Sequence, residues 1–204
     1  RQIDILNDEE SAQLLEGLRS IEKDFVAGAL VLDSQFEDGH SAIESWLTDM
    51  LGDVGGKIHT GRSRNDQVAV ALRLYMKDRL RQLQVICTQI ASVLLQRVEH
   101  EGGLPMAGYT HLQSAMPSSA GLWLAGHAEA FIDNAELAAL TIHWLNASPL
   151  GTASGFGVNL DLPRQAVATE LGFARLVVNP QYAQNSRGKI ELQALSVLSA
   201  CTLD

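Results

Sequence analysis

Residues 66–101 read DQVAVALRLYMKDRLRQLQVICTQIASVLLQRVEHE. Val68, Leu72, Tyr75, Met76, Leu83, Ile86, Ile90, Val93, Leu94 and Val98 recur at helical spacing, and neither Gly nor Pro intervenes before Gly102. That pattern predicts one uninterrupted helix. Roughly 34 residues of helix span about 50 Å at 1.5 Å per residue. A small globule needs no helix of that length. Bundles do, because a second long helix covers the apolar stripe.

The second long helix is predicted to start at Ser118 or Ser119 and to run to about Asn146. Its only formally charged residues are Glu129, Asp133 and Glu136, and no Lys or Arg occurs between Arg97 and Arg164. A helix so nearly neutral is expected to be buried all round, which implies packing by other subunits. Ahead of the bundle, Asn7 and Glu10 read as a capping box. Leu14, Leu15, Leu18, Ile21 and Phe25 then form a stripe that Gly28 ends. A shorter helix is expected over Ser41–Leu51, carrying Ile43, Trp46, Leu47 and Met50. Another is expected over Pro163–Leu171, capped by Asp161 in front and Gly172 behind, and a last one begins near Ser186. Ala174–Val178 is the one strand candidate. The expected class is therefore all-α, with an N-terminal helical region over residues 1–65 and the first part of a long-helix bundle over 66–204.

Composition narrows the function. The 204 residues carry 15 Lys+Arg against 24 Asp+Glu, a net charge of −9, and 46% are hydrophobic against 19% charged. This is not a disordered, charge-extended chain. Its acidity argues against nucleic acid or an anionic membrane surface as partner. The longest uncharged stretches, 102–128 and 137–160, are broken by Gly, Pro, Asn, Gln and His, so no transmembrane run is read. Cys87 and Cys201 lack metal-ligand spacing and are expected as buried thiols in a reducing compartment. The chain starts at Arg1 without a signal-peptide pattern and ends within an amphipathic run, so a piece of a longer protein is expected. No HxxxH or Cys/His cluster suggests a metal, no G-x-S-x-G elbow suggests a serine hydrolase, and no dinucleotide fingerprint follows a strand.

Polar chemistry gathers in three segments. Residues 55–67, GGKIHTGRSRNDQ, place three glycines, Lys57, Arg62, Arg64 and the cap-competent Ser63, Asn65 and Asp66 directly before the long helix. Backbone N–H groups, the positive end of the helix dipole and bidentate arginine chemistry together suit a small carboxylate or phosphate. The alternative is a capped turn whose arginines pair with surface acids. Residues 108–117, GYTHLQSAMP, set His111 between Thr110 and Gln113 in an uncharged stretch, where a histidine can serve as general acid or base or simply be hydrogen-bonded within a loop. Residues 148–157, SPLGTASGFG, read as a flexible glycine-rich turn. His40 precedes a helix and could reach a site, though capping and exposure account for it equally.

Residues 57–67, KIHTGRSRNDQ, resemble the signature loop of the argininosuccinate lyase family, and residues 108–113, GYTHLQ, resemble its second signature. The wider fumarase/aspartase superfamily shares the Thr-His-Leu-Gln element, whereas the His-Thr-Gly-Arg-Ser-Arg-Asn-Asp string belongs to the argininosuccinate branch. Residues 37–44 and 148–151 also resemble family segments, in the right order, so the likeness covers about Asn7 to Leu171. It implies a long-helix bundle of the fumarase/aspartase type.

The resemblance further implies elimination of fumarate from argininosuccinate to leave arginine, without metal or organic cofactor, by a cytoplasmic homotetramer whose sites are shared between subunits. In its terms Ser63, Arg64 and Asn65 hold the succinate part. Thr110 binds a carboxylate, His111 works in proton transfer, and His59 and Gln113 line or support the pocket. The family's third signature, with the serine favoured as base, is not within these residues. Residues 185–191, NSRGKIE, depart from the Asp-rich segment of many members. Two other readings stand beside this one: a superfamily lyase acting on a different succinyl adduct or C4 acid, and a non-catalytic helical scaffold of this fold.

Overall fold

A computed structural model describes residues 5–204, which fall into two compact units. The first holds the described residues through Ala71 together with Ala147–Asn185, and the second holds Leu72–Asn146 with Ser186–Asp204. The first unit thus adds the 147–185 segment to the N-terminal helical region of residues 1–65. Asp66 is one reason, since its side chain binds the backbone of Gly151 and Ala153.

In the first unit, α1 (Asp8–Val26) opens with the expected capping box. Asn7 accepts the Glu10 N–H at 2.8 Å and Glu10 accepts the Asn7 N–H at 3.1 Å. Asp8, Glu9 and Glu10 fill the first turn and Lys23 the last, charges that complement the helix dipole. α2 (Gly39–Leu51) has a box of its own between Asp38 and Ser41. Leu14 and Ile21 of α1 pack with Leu47 of α2, flanked by Leu18, Ile43 and Trp46. α3 (Asp53–Gly56) and a 3₁₀ turn (Lys57–His59) follow. The first half of the predicted donor loop is therefore helical. Gly55 is there for space: a Cβ on it would stand 2.3 Å from the Leu47 carbonyl oxygen. The long helix α4 starts at Arg64 and ends at Glu101, 38 residues later.

The rest of the first unit is a two-residue parallel pairing of β3 (Ala147–Ser148) with β4 (Arg175–Leu176), α6 (Arg164–Glu170) and α7 (Pro180–Asn185). The strand expected over 174–178 is thus reduced to two residues. Asp161 does not cap α6. Its N-cap is Pro163, with no side-chain hydrogen bond, and Asp161 lies two residues ahead of that position, too far upstream to act as the cap.

The second unit is built on the remainder of α4, α5 (Ala120–Leu145) and α8 (Lys189–Ala200), joined through Leu80, Ala138, Leu145, Ile190, Ala194 and Val197. Ser119 caps α5 through the Leu122 N–H. Lys77 is buried and donates to Asn146 Oδ1 at 2.7 Å; burial and Arg81 lower its pKa. The last helix starts later than expected because Gly188, at φ 84°, ends one backbone direction and starts another. Cys87 is buried and Cys201 half-buried, both unbridged; burial and the adjoining Cys201 push the Cys87 thiol up to about 11.

One expectation for this unit fails. Residues 108–117 lie not in a loop but in a hairpin, β1 (Pro105–Thr110) against β2 (Gln113–Ser119). Its side chains are mostly exposed, so no alternation marks it in the sequence, and a bulge between Ala107 and Tyr109 shifts the register. Within one chain α5 leaves Leu122, Trp123, Ile132, Leu137 and Leu140 exposed. One chain covers only one side of this nearly neutral helix, and its full burial would take other subunits.

Two outcomes follow from these contacts. Gly55→Ala should destabilise the protein by about 1–3 kcal/mol, because the added methyl meets backbone. Gly56→Ala should be neutral or stabilising by about 0.4–1 kcal/mol, since its backbone is helical and nothing lies within 4 Å of the added carbon. Urea titrations of both variants test the contrast. The second concerns Asp38. Burial would push its carboxyl up, but hydrogen bonds from Ser41 and Arg64 outweigh burial and hold it at about 2 against an ordinary 3.8. The folded value is the lower one, so the stabilisation is complete above the unfolded value and is lost as pH falls toward 2. Unfolding free energy measured from pH 5 to 2 should therefore drop, and Asp38→Asn should flatten that drop.

Candidate active site

The donor-rich segment is held by three carboxylates. Asp66 has no solvent exposure. Its Oδ1 accepts the Ser63 N–H at 3.1 Å, and its Oδ2 accepts the N–H groups of Gly151 at 3.0 Å and Ala153 at 2.9 Å. Ser63 Oγ accepts the Asn65 N–H at 3.3 Å, so the serine caps the first turn of α4. Gly61, at φ 71°, turns the chain into it. Of the three residues named as cap-competent, Ser63 takes that position, Asp66 braces it from inside the helix, and Asn65 lies in the first turn.

Arg64 is oriented by the other two carboxylates. One terminal nitrogen donates to Asp38 Oδ1, and the other lies 3.6 Å from Glu44 Oε2. Glu44 Oε2 is also 3.5 Å from His59 Nδ1. The buried Arg64 Nε and the Gln67 Oε1 have no hydrogen-bond partner. Buried polar groups without partners are uncommon and mark places where another group is expected. Lys57 is engaged elsewhere, at 2.5 Å from Glu10 Oε1, and it is the main cause of the lowered Glu10 pKa. A cleft of about 380 Å³ in the same unit is lined by Lys57, Thr60, Arg62, Gly151, Arg164 and Glu170 among others. His59, Ser63, Arg64 and Asn65 do not line it.

The 148–157 segment is a braced turn, unlike the flexible one expected. Pro149 and Ser148 are buried, and Thr152 Oγ1 donates to the Pro149 carbonyl at 2.8 Å. Arg164 Nε donates to the Leu150 carbonyl and a terminal nitrogen to the Val177 carbonyl, both at 2.8 Å. Ala153 sits at φ 52°, a left-handed conformation unusual for a residue with a Cβ. Asp66, through the Ala153 N–H, holds it there.

Thr110, His111 and Gln113 lie in the second unit, at the tip of the β1–β2 hairpin. Thr110 pairs with Gln113, leaving His111 and Leu112 as the two turn residues at φ 49° and 62°. This backbone usually selects Asn-Gly, because it needs positive φ twice. All three candidates are exposed, and Leu112 is 95% exposed. The uncharged stretch is therefore not a dry loop within this chain. So the structure brings together His59, Ser63, Arg64 and Asn65 in one unit and Thr110, His111 and Gln113 in the other.

The sequence alone does not single out Asp38, Glu44 and Arg164 as site residues. Arg164 gave one signal in the sequence, being the first cation after Arg97. Asp38 and Glu44 lie beside His40 in the segment 37–44 that resembled the family.

Comparison with known proteins gives the same direction. A family model described as a lyase matches residues 2–203. The argininosuccinate lyase of Xanthomonas axonopodis pv. citri (strain 306) is 56% identical over 202 residues, which are 99% of this chain and 47% of that protein. The argininosuccinate lyase of Xylella fastidiosa (strain Temecula1 / ATCC 700964) is 56% identical over 204 residues, all of this chain and 46% of that protein. The chain thus spans about half the length of the curated relatives it matches. Among solved structures, an EDDS lyase variant with bound fumarate matches with a TM-score of 0.77 at 28% identity, covering 88% of this chain and 35% of that one. EDDS lyase in complex with formate matches at the same TM-score and identity, covering 89% and 35%. The helical architecture, the braced donor segment and a family match across 2–203 agree, and the chain belongs to this lyase family.

Proposed function

We propose that this chain is part of an argininosuccinate lyase, which splits argininosuccinate into arginine and fumarate. A base takes the proton from the carbon next to a carboxylate, the electron pair spreads into that carboxylate, and the C–N bond then breaks as an acid protonates the departing guanidino nitrogen. Such a reaction needs donors that hold the carboxylate more strongly as its charge rises. Ser63, Arg64 and Asn65 serve that purpose at the start of α4, and Asp38 and Glu44 keep Arg64 aimed. Thr110 contributes a further carboxylate contact and His111 moves protons; His59 and Gln113 support the pocket. No organic cofactor or metal has a part in this scheme.

The observation that carries the reading is the fixed donor segment, in a chain whose argininosuccinate lyase relatives are 56% identical along nearly all of it. The working enzyme is proposed to be a homotetramer with sites shared between subunits. In its support, α5 and α8 expose Leu122, Trp123, Leu140, Leu192 and Leu195. A cytoplasmic setting is proposed, in keeping with the adjoining unbridged Cys87 and Cys201. Among the described residues, no helix is long and apolar enough to cross a membrane.

The complete polypeptide that carries this chain should release fumarate from argininosuccinate, followed by ultraviolet absorbance, and should favour it over adenylosuccinate, aspartate and malate run alongside. A folded, assembled protein that forms no fumarate from argininosuccinate would overturn the assignment. His111→Asn in that protein should lower kcat about 10²–10⁴-fold while calorimetric binding of succinate persists. An unchanged kcat would remove His111 from the proton path.

A further inference from the structure

One buried ionisable group takes no part in the proposed chemistry. Asp66 is sealed from solvent, and its two oxygens serve different parts of the chain. An ordinary cap needs one oxygen and one nearby N–H. Here Oδ1 does that for Ser63, while Oδ2 reaches 85 and 87 residues along the chain to the N–H groups of Gly151 and Ala153. Gly151 at φ 84° and Ala153 at φ 52° turn those N–H groups toward one point. Converging backbone N–H groups of this kind make an anion-binding concavity, and the anion it holds is the Asp66 side chain. From the other side, Arg164 grips the Leu150 carbonyl and meets the turn at Gly151, where an added Cβ would be 2.9 Å from its Cγ.

We infer that Asp66 is a positioning residue: it fixes the Ser63 backbone through one oxygen and the 149–153 turn through the other, so that the carboxylate grip of α4 and this turn are set as one rigid piece. The inference rests on the reading of Ser63–Asn65 as the succinate-binding segment. An asparagine in this place has one acceptor oxygen and an NH₂ group that only donates. It can satisfy Ser63 or the Gly151/Ala153 pair, but not both, and must turn its NH₂ toward the N–H groups it fails. If the turn is released, Ala153 loses the bond that holds it in the left-handed region and returns to negative φ. If Ser63 is released, the serine hydroxyl and the first N–H groups of α4 shift relative to the substrate.

The test uses the complete protein. Asp66→Asn should lower kcat per folded, assembled site about 10–100-fold, the range for a misplacement of about 1 Å, with KM moving far less. Fumarate affinity measured by calorimetry should fall, while the melting transition stays cooperative. Adding Ala153→Gly, which removes the steric cost of the left-handed conformation, should recover about fivefold or more of the lost turnover. A purely structural residue would reduce the amount of folded protein and leave turnover per site unchanged, and that result would overturn the inference. So would D66N activity within about threefold of the parent, or a double variant that gains nothing. If D66N alone does not fold, the double variant is read in its place, and failure of both to fold also overturns it. Wild-type protein that yields no fumarate would instead refute the function proposed above, which separates the two.

Discussion

A carboxylate removed from water must find its hydrogen bonds inside the protein, or the cost of burying it falls on the whole fold. Asp66 finds three, all from backbone N–H groups. Bonds to a charged acceptor are the strong kind, and these three come from segments that are far apart in the chain. The start of α4 and the 149–153 turn thus have one shared reference point. Arg164 adds a cation on the far side of the turn, bound to carbonyls where Asp66 is bound to N–H groups. The turn is held by opposite charges acting on its two kinds of backbone dipole.

Arg64 shows the same logic at the neighbouring position. Left to itself, a long arginine samples many rotamers, and fixing it costs side-chain entropy. Asp38 and Glu44 meet that cost in the folded chain, before any ligand arrives. Asp38 is in turn the N-cap of α2, so the first turn of that helix and the guanidinium share one carboxylate. The core of α1 and α2 around Leu14, Ile21 and Leu47 thereby supports the Arg64 guanidinium at one remove. Under the proposed function this is the preorganisation that electrostatic catalysis requires, because donors already in place need no reorganisation as charge develops.

The helices could be read from the chain because their signals are local. The Asn7–Glu10 box, the period of α4 and the Ser119 cap each lie within a few residues of the feature they determine. The polar cluster at 59–65 is visible in the sequence for the same reason. The hairpin is not, since Met106, Tyr109 and Met116 are exposed and supply no two-residue alternation. The work of Asp66 was hidden more deeply. In sequence it is one more cap-competent residue beside Ser63 and Asn65, and only folding brings it to Gly151 and Ala153. The left-handed backbone at His111 and Leu112 was equally silent, because neither residue type announces a turn.

The base of the hairpin is pinched by backbone alone. Ala120 N–H donates to the Leu104 carbonyl at 2.9 Å and Gly121 N–H to the Gly102 carbonyl at 3.1 Å, and a Cβ on Gly121 would stand 2.9 Å from the Gly102 oxygen. No side chain fits there, so both positions require glycine. The strands beyond them hardly enter this unit's core. The ribbon that ends in Thr110, His111 and Gln113 is thus anchored by its backbone at the root, and its side chains are left for contacts other than the packing of the bundle beneath.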